Sequence, residues 1–115
     1  MKDITVILPI HDIRDANFET LFGLAIKSIQ TQIIRPEKLL VVHCDCPGVG
    51  PWLNKFDYGD LNVEILENTT QPDFCSQINF AANKVDTTWF SILEFDDEYS
   101  NIWFKNVKEY FEAYP

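Results

Sequence analysis

At 115 residues the chain has room for one modest hydrophobic core, and 46% hydrophobic with 14% aromatic content marks it as globular rather than disordered. Nine basic against eighteen acidic residues leave a formal charge of −9, which excludes the broad positive footprint of a nucleic-acid or anionic-membrane binder. Three cysteines form an odd set without a disulfide framework, no apolar run reaches the length of a membrane span, and no signal-peptide pattern precedes Ile4, so the expected compartment is the cytoplasm.

The run Ile4–Ile10 is β-rich and almost wholly apolar, as a central parallel strand requires, with Pro9 tolerable only near its end. His11 to Asp15 is a polar loop, and Asn17 is placed to cap a helix running to about Gln32. Phe18, Leu21, Phe22, Ala25 and Ile29 make that helix's apolar stripe. Lys38–His43 reads as a second strand and Trp52–Phe56 as a short helix. Leu61–Leu66 alternates as an edge strand does.

Pro72 and Asp73 open another helix, with the acid near its positive end and with Phe74, Ile78, Ala81, Ala82 and Val85 as its stripe. Residues 89 to 93 are aromatic, β-branched or leucine apart from Ser91, the composition of a strand covered on both faces. Ser100 is placed to cap a last helix with Ile102, Trp103, Val107, Tyr110 and Phe111 facing inward.

This alternation predicts an α/β domain with a mostly parallel sheet of about four strands, in order 3-2-1-4, with helices on both faces. In such sheets ligands bind beyond the carboxyl ends of the strands. Three polar stretches fall there: His11-Asp12, Cys44-Asp45 and Glu94-Phe95-Asp96-Asp97. Acidic side chains crowded at a strand mouth repel one another, and a divalent cation such as Mn²⁺ or Mg²⁺ with hard oxygen ligands would offset that. Taken alone, the acids also read as a solvated turn before a helix, the reading that best suits Asp97 and Glu98. His43-Cys44-Asp45-Cys46 lacks the paired spacing of a structural zinc site.

The stretch Val6-Ile7-Leu8-Pro9-Ile10-His11-Asp12 resembles the V-V-I-P-T-Y-N opening of family 2 glycosyltransferases. Ala25 to Gln32, with Pro36 and Leu39 to Val42, resembles that family's A-L-x-S-I-x-x-Q…P-x-E-I-I-V-V block. Asn79 resembles the Asn of its R-N-x-G segment, and Leu93-Glu94-Phe95-Asp96-Asp97 resembles L-D-x-D-D at the matching interval.

The resemblance implies the amino-terminal, nucleotide-binding half of a GT-A fold, Rossmann-like in topology, that holds a nucleoside-diphosphate sugar, a UDP-sugar above others. Asp96, with Glu94 or Asp97, would ligate Mn²⁺ or Mg²⁺, and Pro9, Ile10, His11, Asp12, Cys44, Asp45 and Asn79 would edge the nucleotide. Asp12 also reads as a loop or helix cap, His43 as a strand-end residue, and Asn79 as a residue that hydrogen-bonds backbone to hold its helix against the strand ends.

Several positions depart from the pattern. Glu94 stands for the first Asp of the metal motif, His43-Cys44 for an acidic pair, and Ile78 for the usual Arg. The family's acceptor half is expected to be missing, so no catalytic base is assigned, and the acceptor is unknown. The expected activity is glycosyl transfer, completed by further chain, a partner or a second copy pairing along the strand at 89–93. The alternative is a GT-A-like nucleotide-binding or assembly module that transfers nothing.

Overall fold

The computed structural model describes residues 3–10, 17–44, 48–69 and 73–114. Its elements run β1 (Ile4–Ile10), α1 (Phe18–Gln30), β2 (Lys38–His43), α2 (Val49–Lys55), β3 (Val63–Glu67), α3 (Phe74–Ala82), β4 (Trp89–Ile92) and α4 (Trp103–Ala113). The four strands form one sheet in the order β3-β2-β1-β4, and every neighbouring pair is parallel. Chain order and strand order are therefore those expected from the sequence. The short second helix begins at Val49, three residues before the expected Trp52, and β3 begins at Val63 rather than Leu61.

β1 is the central strand and is buried along its whole length, because helices lie on both faces of the sheet. Val6, Leu8 and Ile10 alternate with Ile7, so one strand serves two cores. On one face they meet Phe22, Ile26, Leu53 and Phe104 from α1, α2 and α4. On the other, Ile7 with Leu40 and Val42 meets Ile78 and Ala81 of α3. Phe22 anchors the larger core, with Phe56 at 5.0 Å and Trp52 at 5.4 Å between ring centroids in edge-on contacts.

Two expectations need correction at the β4 side. β4 is not covered on both faces: Trp89, Phe90 and Ile92 are exposed, because β4 is an edge strand and α3 packs over β1 and β2 instead. In α4 the inward residue is Phe104, with Val107 and Phe111 half-buried, whereas Ile102, Trp103 and Tyr110 are exposed. The helix is rotated from the expected stripe because Phe104, three and seven positions before Val107 and Phe111, takes the core-facing phase.

A buried polar latch sets where α4 begins. The Ser28 hydroxyl donates to the Ala25 carbonyl at 2.6 Å and accepts from the Tyr99 N–H at 3.1 Å. The Gln32 amide donates to Ser28 O at 2.9 Å and Ser100 O at 2.5 Å, and its oxygen accepts from the Phe104 N–H at 3.2 Å. Ser100 thus contributes its carbonyl rather than a side-chain cap. Replacing Gln32 by Leu keeps the volume but strands the Phe104 N–H and Ser100 carbonyl. Urea unfolding of Gln32→Leu is expected to show a loss of about 1–3 kcal/mol.

Candidate functional site

The carboxyl ends of β1, β2 and β4 meet at one rim because all the strands run in the same direction. β4 pairs with β1 only as far as Ile7↔Ile92, after which the Leu93 N–H donates to the Ile7 carbonyl at 2.9 Å. The next bond of that ladder would need an N–H on Pro9, which proline lacks. Pairing stops there, and the chain is free to turn.

The turn is built by alternation. Leu93 and Phe95 are buried, whereas Glu94, Asp96 and Asp97 are exposed. Phe95 packs on Phe18 of α1 at 5.1 Å between centroids, and the Asp97 N–H closes the turn on the Glu94 carbonyl at 3.0 Å. With Phe95 held inward, its neighbours point outward. One carboxylate oxygen from each of Glu94, Asp96 and Asp97 lies within 4.8 Å of the others, and no ion pair among the described residues involves the three. Their downstream end is tied to α1 by the Tyr99–Ser28 bond, and the Tyr99 hydroxyl meets the Ser91 hydroxyl at 2.5 Å. Three oxygen donors of this kind fit a hard divalent cation, and their exposure leaves room for phosphate and water ligands.

The other expected site residues are placed as follows. Pro9 and Ile10 are buried at the end of β1. His11, Asp12 and Asp45 lie outside the described residues. Cys44 follows β2, is buried and is disulfide-bonded, a departure from the disulfide-free reading, while Cys75 is a free, exposed thiol. His43 is buried at the β2 end with Nδ1 2.5 Å from the Cys44 carbonyl, so Nδ1 carries the proton. Asn79 is exposed on α3.

The bond from α3 to the strand ends comes from Gln77, which sequence reading missed. Its Nε2 donates to the Ile10 carbonyl at 2.7 Å, and its Oε1 is buried with no partner among the described residues. The signal was a polar residue on the apolar face of α3, one turn after Phe74 and one before Ala81. Asn68, equally buried, closes the β2–β3 end through its N–H to the His43 carbonyl at 2.8 Å.

Solved structures that match include two crystal structures of S. aureus TarS. One, of residues 1–349, has a TM-score of 0.73, and the other 0.74; both are 19% identical over 98% of this chain. TarS is a family 2 glycosyltransferase with a GT-A fold. The fold here is GT-A-like. At this identity the likeness concerns the fold, and this chain spans 33% and 20% of the two TarS chains. No protein-family model and no curated protein sequence matches.

Asp73, the N-cap of α3 near the rim, accepts hydrogen bonds from the Ser76 N–H and hydroxyl, which hold its carboxyl below the ordinary 3.8. Arg35 does the same for Asp60 through a hydrogen bond and its charge. A folded-state pKa below the unfolded one gives stability that is present above the ordinary value and is lost as pH falls through the lowered one. Melting temperature followed by circular dichroism is expected to fall below about pH 4, and Asp73→Asn is expected to make that acid limb shallower.

Proposed function

We propose that the chain binds a nucleoside-diphosphate sugar, a UDP-sugar above others, at the rim formed by the ends of β1, β2 and β4. Glycosyl transfer to an acceptor is the activity served. The observation that carries this reading is the meeting of Glu94, Asp96 and Asp97 within 4.8 Å at the mouth of β4 in a GT-A-like sheet. The likeness to TarS supports it at the level of fold.

On this reading Asp96, with Glu94 or Asp97, holds Mn²⁺ or Mg²⁺ against the donor diphosphate. The bound cation supplies charge neutralisation for the nucleoside-diphosphate leaving group. Asp96 holds most of the weight because Phe95 on one side fixes its direction and Asp97 on the other lies in the turn closed on Glu94. Glu94 carries one more methylene than the Asp it replaces, so it reaches the ion directly or through a water. The end of β1, with Ile10, His11 and Asp12, borders the base, with Cys44 and Asp45 beyond the end of β2.

No general base is assigned among the described residues. A module that binds donor and transfers nothing is the rival, and one pair of measurements separates the two.

Calorimetric titration of UDP is expected to show binding with Mn²⁺ present and at least tenfold weaker binding without it. Asp96→Asn is expected to reduce the metal-dependent part by a similar factor. Equal UDP affinity with and without Mn²⁺, or no change in Asp96→Asn, would sink the metal assignment. Release of UDP from a UDP-sugar in the same samples separates a transferase from a binding module.

A further inference from the structure

We infer that Gln77 of α3 is a positioning residue for the base of the bound nucleotide, acting through the carbonyl of Ile10 at the exit of β1. The inference rests on the nucleotide reading of the rim. It adds a residue that governs the base end of the ligand, away from the acids after β4.

Two buried glutamines in this chain are used in opposite ways. Gln32 uses its whole amide: Nε2 donates to the Ser28 and Ser100 carbonyls, and Oε1 accepts from the Phe104 N–H. Gln77 is fully buried and uses half: Nε2 donates to the Ile10 carbonyl at 2.7 Å, and Oε1 has no partner among the described residues. The orientation of that amide is set by chemistry. A carbonyl only accepts, so Nε2 faces Ile10 and Oε1 is the atom left over. An apolar side chain of the same size would remove one stranded acceptor, Oε1, while releasing another, the Ile10 carbonyl. The fold therefore gains little from this glutamine. Buried polar groups that the fold does not require are concentrated at functional sites.

The place of the bond supplies the reason. Ile10 is the last residue of β1 and stands beside His43, the last of β2, so its carbonyl lies where the sheet opens onto the rim. The Ile10 side chain enters the larger core on the α1 face, whereas Gln77 comes from α3 on the opposite face. The end of β1 is thus held from both sides. Gln77 is itself fixed, because its N–H closes the first turn of α3 on the Asp73 carbonyl at 3.1 Å. A peptide unit is planar, so holding the Ile10 carbonyl fixes the plane in which the chain leaves β1. Main-chain groups set in direction before the ligand arrives bind it without a further ordering cost. Ile10 and Gln77 are both buried within this chain, so nothing docked at its surface replaces their contact.

Calorimetric titration of UDP and of pyrophosphate, each with Mn²⁺, tests the inference in Gln77→Leu and Gln77→Met. UDP is expected to bind about tenfold more weakly than to the wild type, while pyrophosphate, which has no base, keeps its affinity within about twofold. The melting temperature is expected to stay within about 5 °C of the wild type. Unchanged UDP affinity in both variants overturns the inference. So does an equal loss for UDP and pyrophosphate, the result of a loosened fold. If neither variant folds, the wild-type side-chain amide resonances of Gln77 decide: UDP is expected to shift them and pyrophosphate to leave them in place. Resonances that ignore UDP, or that respond equally to both, overturn the inference. A wild-type chain that binds neither ligand overturns the nucleotide reading itself and this inference with it.

Discussion

The parallel pairing of β4 along β1 is the constraint from which the candidate site follows. It places the exit of β4 at the same edge of the sheet as the exits of β1 and β2. Pro9 then limits how far that pairing extends. Because it offers no N–H where Leu93 would next need one, the ladder ends and the acids are released into a turn at the rim. A residue first notable as an awkward member of a central strand thus acts on the neighbouring strand rather than on its own.

What the turn presents is decided by one buried ring. Phe95 sits on Phe18, and both flanking acids are driven outward by the alternation. Holding like charges together is unfavourable unless the backbone beneath them is fixed. Here the fixing is strong, because Ser28 and Gln32 tie residues 99 to 104 to the end of α1 through buried and half-buried hydrogen bonds. The Ser and Gln of the block starting at Ala25 therefore have a physical role, which is to hold the segment that follows the acidic turn.

Much of this was legible in the sequence. The unbroken apolar run of β1 and the alternation of β3 announced a central and an edge strand, and the helical spacings between them announced a parallel sheet. The acidic cluster was legible because three carboxylates stand within four residues at the end of an apolar strand. The exposure of β4 was not legible, since Trp, Phe, Ile and Leu have the same composition whether a strand is covered or waiting to be covered. The phase of α4 was misread for a related reason: aromatic residues occupy several faces of that helix, and only packing selects Phe104. Gln77 was overlooked because attention went to the motif residue Asn79, two positions on, whose side chain faces solvent.

The claim beneath the functional reading is spatial: the carboxylates after Leu93 grip a cation beside a bound nucleotide. Diffraction from crystals grown with UDP and Mn²⁺, recorded for manganese anomalous scattering, tests it most directly. The account predicts one strong peak roughly 2–2.5 Å from a carboxylate oxygen of Asp96 and in contact with the UDP phosphates. Ordered UDP with the manganese peak elsewhere, or with none at the mouth of β4, would contradict it.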